Sequence, residues 1–141
     1  MKPFVSQHKV RFAHCDPAGI AYYPRLLEIC DMAIEDWTES VLGVPRRVLH
    51  LELNLALPTV DLQATFSTPA RLGERLTASI SIGDVGNTSV ALAMEISCEE
   101  DARFSVRYRQ VLMSMAEARS IPWPQEWRQR LLSGFAEEAP E

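Results

Sequence analysis

Residues 89–98 read SVALAMEISC, with an apolar side chain at every even position and a small or charged side chain at most odd positions. The same alternation recurs over 60–66, 76–82 and 104–112. Because successive side chains of a strand point to opposite faces, a period of two predicts half-buried strands. The predicted buried face comprises Val60, Leu62, Ala64, Phe66, Leu76, Ala78, Ile80, Ile82, Val90, Leu92, Met94, Ile96, Cys98, Phe104, Val106, Tyr108 and Leu112.

The segments between these four strands are short and rich in turn-forming residues, at 69–74, 83–87 and 99–101. Short connections favour antiparallel pairing. Residues 4–12 carry a weaker alternation and supply a fifth strand at the start of the chain.

Between the first strand and the other four, residues 22–42 carry apolar side chains at helical spacing. These are Leu26, Leu27, Ile29, Cys30, Ala33, Ile34, Trp37 and Val41, whereas Glu28, Asp31, Glu35 and Glu39 form one acidic stripe. Gly43 and Pro45 are expected to end the helix. The wide apolar arc predicts a helix that is covered over most of its circumference.

Two shorter helical segments are predicted, over 46–53 and over 124–133, the second closed by Gly134, with a frayed tail at 137–141. The order of elements predicts an α+β fold, in which a five-stranded antiparallel sheet wraps around a long central helix. An open sheet leaves an edge strand that pairing with a second subunit would cover, so we expect a homodimer or larger oligomer.

The composition favours a single domain spanning residues 1–141, because 47% of 141 residues are hydrophobic. A net charge of -5 disfavours a nucleic-acid footprint, and neither a membrane span nor a signal peptide is expected, which predicts a cytoplasmic protein. Three cysteines without a C-x-x-C pair suggest neither a disulfide framework nor a zinc site.

The loop between the first strand and the helix, residues 11–24, reads RFAHCDPAGIAYYP and concentrates the chemically active side chains. Two interpretations follow from the residues alone. In the first, Asp16 caps an ordinary loop, whose proline fixes φ and whose glycine takes a positive φ. In the second, Asp16 lies beside the helix N-terminus, where free N–H groups polarise a substrate carbonyl and the carboxylate attacks it or activates water.

The run Asp16-Pro17-Ala18-Gly19-Ile20-Ala21-Tyr22-Tyr23-Pro24 resembles the D-P-A-G-I-x-x-Y-P motif of the hot-dog-fold thioesterases, most closely the 4-hydroxybenzoyl-CoA thioesterase family. The order of elements and the turn at 66–74 are also similar to that family.

The resemblance implies hydrolysis of an acyl-CoA thioester, with an aromatic acyl group such as 4-hydroxybenzoyl, by a homotetramer or homodimer. It implies that Asp16 is the catalytic carboxylate, and that the backbone N–H of Tyr23 and the loop glycine Gly19 belong to the catalytic site. No metal or redox cofactor is expected, since coenzyme A is part of the substrate.

Several other residues are candidates for the site, and some of them allow a second interpretation. The resemblance implies that Asp31 accepts a phenolic hydroxyl across the subunit interface, although it also belongs to the acidic stripe, and Tyr22 is a second substrate-binding candidate. Glu28 and Glu35 are alternative catalytic carboxylates on the helix. A Cys15–His14 pair is disfavoured, because adjacent strand residues point to opposite faces.

Coenzyme A phosphates require cations, for which Arg71, Arg75, Arg103, Arg107 and Arg109 are candidates, with Arg71, Arg75, Arg107 and Arg109 favoured. The arginines on the last strand are equally explained as charges on an exposed face. Two other functions stay open: an aliphatic acyl-CoA thioesterase, and a non-catalytic acyl-CoA binding or sensing module.

Overall fold

The computed structural model describes residues 2–134, so the tail predicted to fray at 137–141 lies outside the described residues. The described chain confirms the predicted α+β architecture. It contains strands β1 (Phe4–Lys9), β2 (Leu55–Ala56), β3 (Thr59–Phe66), β4 (Arg75–Val85), β5 (Ser89–Cys98), β6 (Asp101–Val111), β7 (Met113–Ser114) and β8 (Arg119–Ser120), and helices α1 (Tyr23–Trp37) and α2 (Gln125–Ser133).

The main sheet has five antiparallel strands in the order β1-β4-β5-β6-β3. Consecutive strands β4, β5 and β6 pair as neighbours, as their short connections predict, whereas β1 and β3 occupy the two edges. The strand predicted over 4–12 ends at Lys9, and the 3-10 helix Phe12–His14 follows it.

The central helix α1 continues as a π-helical segment, Thr38–Leu42, and ends at Gly43, whose φ of 77° is the left-handed conformation that glycine adopts without strain. The buried hydroxyl of Thr38 donates to the carbonyl of Ile34 at 2.8 Å. The carbonyl of Ile34 thus accepts both this hydroxyl and the backbone N–H of Thr38.

The core lies between α1 and the sheet. The apolar side chains of α1 at Ile29, Cys30, Ala33, Ile34 and Trp37 are buried, and the predicted inward positions of β5 and most of those of β4 and β6 are buried with them. The four residues of the acidic stripe are exposed, as the helical spacing predicts. Burial of these two apolar faces against each other is the main stabilisation of the fold.

The buried face predicted for β3 is wrong for a single chain. Val60, Leu62 and Phe66 are 56%, 40% and 44% exposed, and Ala64 is only partly buried. The place of β3 in the sheet explains this exposure. Helix α1 packs on β1 and β4, whereas β3 is the edge strand on the far side of β6. The alternation in β3 is real, but its apolar face has no cover within the described chain.

The remaining elements are a second sheet, a short helical segment and the helix α2. The short strands β2, β7 and β8 form a second, three-stranded sheet that the alternation did not predict. The helical segment predicted over 46–53 is present and includes the π-helical turn Val48–Glu52, and α2 is followed by Gly134 as expected. Within residues 2–134, no helix combines the length and hydropathy that crossing a membrane requires.

Candidate active site

The Asp16 loop is held closed by backbone hydrogen bonds between its two ends. The N–H of Tyr22 donates to the carbonyl of His14 at 2.8 Å, and the N–H of Asp16 donates to the carbonyl of Ile20 at 3.0 Å. Cys15 and Ala21 form an isolated antiparallel bridge between these bonds. The loop therefore folds back onto the start of α1.

The Asp16 carboxylate is exposed and is only half engaged. Its Oδ1 accepts the N–H of Ala18 at 2.9 Å, which is the Asx turn that the loop interpretation predicts. Its Oδ2 has no hydrogen-bond or ion-pair partner among residues 2–134. Asp16 opens onto a cavity of about 470 Å³ lined by Phe12, Cys15, Asp16, Pro17, Gly19 and Leu72. The geometry thus satisfies the capping interpretation and still leaves one carboxylate oxygen free for chemistry.

Within residues 2–134, the first turn of α1 presents one amide that has no hydrogen-bond partner. Tyr22 is the N-cap, and its carbonyl accepts the N–H groups of Arg25 at 2.8 Å and Leu26 at 3.2 Å. Pro24 has no N–H. In the described part of the chain, the Tyr23 amide at this helix start therefore has no acceptor and can bind an anionic oxygen.

His14 and Cys15 do not form a nucleophile–base pair. The Nδ1 atom of His14 accepts the N–H of Arg11 at 2.8 Å, and the thiol of Cys15 donates to the carbonyl of Arg11 at 3.5 Å. Although His14 lies in a 3-10 helix rather than a strand, both side chains serve to hold the backbone of the loop.

A row of aromatic rings joins the start of α1 to the end of β3. Ring centroids are 5.7 Å apart for Tyr22 and Tyr23, 6.1 Å for Tyr23 and Phe66, and 5.2 Å for Phe66 and Phe104. Tyr22, Tyr23 and Phe66 are exposed. The free amide of Tyr23 and the open edge of β3 therefore border the same apolar surface.

A second, polar cavity of about 220 Å³, which we call the Arg46 cavity, contains Asp31. It is lined by Asp31, Ile34, Glu35, Arg46, Leu57, Thr59 and Gln110. It shares no residue with the cavity at Asp16. Within one chain, the structure therefore does not bring Asp16 and Asp31 together.

Charges in the Arg46 cavity are partly desolvated. Asp31 is exposed as a residue, but its carboxyl is partly desolvated, and this burial raises its pKa. The Arg46 guanidinium opposes the shift, and Glu28 adds to it. Burial likewise lowers the pKa of Arg46, while Glu35 and Asp31 oppose that shift. Opposite charges thus face this cavity without the full hydration they would have in water.

The remaining nucleophile and carboxylate candidates are already engaged or placed elsewhere. Glu28 forms an exposed ion pair with Arg25 at 3.0 Å, and Glu35 lines the Arg46 cavity rather than the one at Asp16. Burial raises the pKa of the Cys30 thiol to about 12, so it remains protonated in the core. Among residues 2–134, His, Cys, Asp and Glu side chains do not group in threes as metal ligands.

The candidate arginines fall into different surface grooves. Arg75 and Arg103 line one groove, where Arg103 is only 13% exposed and bonds Glu74 at 2.7 Å. Arg107 and Arg109 line another on the outer face of the sheet. Arg71 lies next to Ile20 through an isolated bridge, and its N–H donates to Glu74 at 2.8 Å. The ion pair shows that Arg103 is not a simple surface charge.

Sequence reasoning missed Arg46 and Gln110. Gln110 occupies an even position on β6, between the buried Tyr108 and Leu112, and is itself buried. The sequence could have indicated Gln110, because it is a polar residue at a position of β6 where the alternation expects an apolar one. Burying an amide without hydrogen bonds is costly. Arg46 carried no such signal, since a charge after a helix end is ordinarily solvated.

Residues 10–131 match the family described as the Thioesterase-like superfamily. A 1,4-dihydroxy-2-naphthoyl-CoA hydrolase from Synechocystis sp. is 28% identical over 130 residues, covering 91% of this chain and 94% of that protein. The crystal structure of a 1,4-dihydroxy-2-naphthoyl-CoA thioesterase from Synechocystis superposes with a TM-score of 0.80 at 26% identity, covering 92% of this chain and 96% of that one.

The fold is also that of the 4-hydroxybenzoyl-CoA thioesterase from Pseudomonas sp. strain CBS-3. The two structures superpose with a TM-score of 0.82 at 23% identity, covering 92% of this chain and 97% of the other. The five-stranded sheet around a long helix is therefore the hot-dog fold.

Proposed function

The chain belongs to the Thioesterase-like superfamily and is a CoA thioester hydrolase, and from this premise we propose that it cleaves an aromatic acyl-CoA to the free acid and coenzyme A. The observation that carries the proposal is the free Oδ2 of Asp16 in a loop held against the free amide of Tyr23. Relatives named for 1,4-dihydroxy-2-naphthoyl-CoA support an aromatic acyl group, of which 4-hydroxybenzoyl is the simplest hydroxylated representative.

Asp16 is the proposed nucleophile or general base. As a nucleophile, Oδ2 forms a bond to the thioester carbon, and the C–S bond breaks to release the coenzyme A thiolate. Water then cleaves the resulting anhydride to the free acid and the Asp16 carboxylate. As a base, the carboxylate takes a proton from water, whose oxygen attacks the same carbon, and coenzyme A leaves as the thiol after accepting a proton. Neither route requires a metal or redox cofactor.

The amide of Tyr23 is the proposed oxyanion donor. Both routes pass through a tetrahedral intermediate whose oxygen carries negative charge, and an N–H at a helix start is oriented toward such a charge before it develops. A single donor of this kind typically contributes about 100-fold to 1000-fold in rate. Gly19, with a φ of 78°, shapes the turn that brings Asp16 back to this amide.

A second copy of the chain is proposed to complete the site. In a two-fold antiparallel pairing of β3 strands, the Thr59 end of one copy lies by the Phe66 end of the other. Thr59 borders the Arg46 cavity, and Phe66 contacts Tyr23 beside the Asp16 loop. Asp31 of one copy would then face the acyl group attacked in the other, and the exposed apolar face of β3 would be covered.

The coenzyme A phosphates are proposed to bind arginines at the borders of this site. Arg71 forms the bridge to Ile20 in the Asp16 loop and Arg75 follows it at the start of β4, whereas Arg107 and Arg109 lie on β6 beside the β3 edge. Guanidinium groups bind phosphate oxygens in a bidentate geometry. Tyr22, exposed at the helix start, is proposed to contact the substrate beside the thioester.

The test is release of free thiol from 4-hydroxybenzoyl-CoA, benzoyl-CoA and a medium-chain acyl-CoA. We expect turnover of an aryl thioester by the native protein and a loss in kcat of about 100-fold or more in Asp16→Asn, the scale of a catalytic acid–base group. Asn preserves the Asx turn, so the loop survives while the carboxylate is lost. Asp84→Asn, an exposed carboxylate on β4, is the matched control.

Each outcome assigns a function. Turnover of the medium-chain substrate alone would replace the aromatic acyl group by an aliphatic one. Binding without thiol release would identify a sensing module, and full activity in Asp16→Asn would return Asp16 to the role of a loop cap.

A further inference from the structure

The Asp16 loop is hydrogen-bonded to residues 67–74, which we call the β3–β4 connection. The N–H of Ala21 donates to the carbonyl of Ala70 at 2.8 Å, and the N–H of Leu72 donates to the carbonyl of Gly19 at 3.0 Å. Two backbone bonds in opposite directions fix both the distance and the register between two segments. The place of the loop therefore depends on where the β3–β4 connection lies.

The backbone of Asp16 is one hydrogen bond away from this contact. Ile20 pairs with Arg71 in the bridge that the two bonds form, and the carbonyl of Ile20 accepts the N–H of Asp16 at 3.0 Å. Most residues of the loop are exposed, so these backbone bonds rather than core packing determine where it lies. A displacement of the β3–β4 connection would displace Asp16 with it.

The carboxylate of Glu74 holds the β3–β4 connection in place. Its Oε1 accepts the N–H of Arg71 at 2.8 Å, and its Oε2 accepts the Nη2 of Arg103 at 2.7 Å. The side chains of Glu74 and Arg103 are only 23% and 13% exposed. A short charge-assisted bond in such a site is stronger than a surface ion pair, because water competes for it less. One carboxylate thus joins the residue that pairs with the loop to a residue of β6.

Arg103 anchors both ends of the β3–β4 connection to β6. Its carbonyl accepts the N–H groups of Ser67 at 2.9 Å and Thr68 at 3.1 Å, and its guanidinium bonds Glu74 at the other end. Strand β6 is paired with β5 on one side and with β3 on the other. Strands in the middle of a sheet open less readily than exposed loops, so β6 is a fixed support for the connection.

We propose that Glu74, held by Arg103, is a positioning residue for Asp16. Its carboxylate fixes the segment on which the Asp16 loop docks to the middle of the sheet. Neither of the two side chains lines the cavity at Asp16, and the proposal rests on the proposed catalytic role of Asp16. Gly73 lies outside this set of contacts, since its N–H donates to the carbonyl of Val10.

A small displacement of Asp16 has a large effect on the rate. Attack requires reacting atoms about 3–3.5 Å apart, and a misplacement of about 1 Å can cost about 100-fold. The exposed side chains of Arg71 and Arg75 can adjust to such a shift and still reach a phosphate, whereas the Asp16 carboxylate is tied to its own turn. Loss of positioning should therefore lower kcat and leave KM nearly unchanged.

The test is thiol release by Glu74→Met, measured with the thioester that the native protein hydrolyses fastest. The variant removes both acceptor oxygens, and we expect kcat to fall by about 10-fold or more while KM stays within about 3-fold. Glu74→Gln keeps one oxygen for the N–H of Arg71 and should lose less. Arg128→Met is the matched control, because Arg128 holds the β4–β5 turn by donating to the carbonyl of Gly86 at 2.8 Å. It should lower Tm without lowering kcat.

A double variant separates positioning from stability. Glu74→Met alone leaves the charge of Arg103 largely buried without a partner, so Tm should also fall. Combining it with Arg103→Met replaces the ion pair by apolar side chains and should restore most of Tm, because such replacements are often neutral. We expect kcat to stay low, since the N–H of Arg71 still lacks its acceptor. Recovery of kcat together with Tm would overturn the proposal. If the single variant does not fold, Glu74→Gln and the double variant carry the same comparison.

Hydrogen exchange tests the contact without relying on activity. In Glu74→Met, the amides of Ala21 and Leu72 should exchange about 10-fold faster than in the native protein, because the segment that binds the loop opens more often. The amide of Trp123, which bonds the β4–β5 turn, should exchange as before.

The two measurements distinguish failure of this proposal from failure of the proposed function. Full activity in Asp16→Asn would remove the catalytic role of Asp16, and faster exchange in Glu74→Met would still support the hold of Glu74 on the loop. Unchanged exchange at Ala21 and Leu72 overturns the proposal in either case. Unchanged kcat in Glu74→Met, with Asp16→Asn inactive, overturns it while the function stands.

Discussion

The N–H of Tyr22 donates to the carbonyl of His14 at 2.8 Å, and this bond closes the loop that carries Asp16 onto the first turn of α1. The bond spans eight residues, within which Gly19 adopts a φ of 78°. Because the loop is exposed, its geometry depends on local backbone conformation rather than on core packing. The position of the Asp16 carboxylate is therefore sensitive to changes at Gly19.

Gly19→Ala should lower kcat by more than its small loss in free energy of unfolding can explain. A Cβ at Gly19 would meet no atom within 4 Å, so the substitution introduces only the strain of a positive φ, about 1–2 kcal/mol. Gly73→Ala is a matched control, because Gly73 has a φ of 88° and equally open space. We expect similar losses of Tm in both variants and a loss of thiol release only in Gly19→Ala. Equal activity in the two variants would contradict the role of the loop.

Leu62→Lys should convert the protein to a monomer without thioesterase activity. Leu62 lies in the middle of the exposed apolar face of β3, where a lysine would repel the same residue of a second copy. Light scattering after gel filtration gives the oligomeric state. Val5→Lys places the same charge on the exposed face of the other edge strand, β1, and should change neither the oligomeric state nor turnover. A monomeric variant with full turnover would show that one chain suffices.

Asp31→Asn should raise the free energy of unfolding at neutral pH. Burial raises the pKa of Asp31 in the folded protein, so its favourable contribution is present below the unfolded pKa and is lost as pH rises through the folded pKa. At pH 7.5 the carboxylate is ionised at a net cost, which the amide removes. Urea unfolding at pH 7.5 and at about pH 3, below the unfolded pKa of an aspartate, should show a gain only at the higher pH. The exposed Asp84→Asn should show no such gain, and a loss of stability in Asp31→Asn at pH 7.5 would refute the assignment.

His8 should make folding less favourable in mild acid. Its ring, bonded to Ser6 Oγ at 2.9 Å, is partly buried, and burial lowers its pKa below 6.5, while Asp36 opposes the shift. The contribution to stability is therefore full above pH 6.5 and is lost as pH falls through the folded pKa. His8→Gln should flatten the dependence of the unfolding free energy between pH 7.5 and 5. An unchanged slope would show that other groups control this range.

Much of the fold was predictable from periodicity. Alternation of period two located four strands of the sheet, and helical spacing located α1 and its acidic stripe. Gly43 was predictable as the end of the helix, because a left-handed residue at that point favours glycine. These features depend on residues close in sequence, which is why they could be read without a structure.

The candidate site was predictable only where a continuous motif carries it. Asp16, Gly19 and Tyr23 lie within eight residues, so the sequence alone indicated them as a group. Arg46 and Gln110 are distant in sequence, and only the packing of α1 against β6 and the following segments places them around one cavity. The second sheet was missed for the same reason, since its strands of two residues carry no period.

By itself, the sequence determined which side chains share a face of each strand and of α1, because the periods of 2 and 3.6 are properties of the local backbone. Only the tertiary structure decided what covers each face. The inward positions of β4 and β5 are buried in the core, while most of the same pattern in β3 stays exposed, because β3 is an edge strand that α1 meets mainly at its two ends, at Phe66 and at Thr59. Burial depends on neighbours that are distant in sequence, and no local period encodes them.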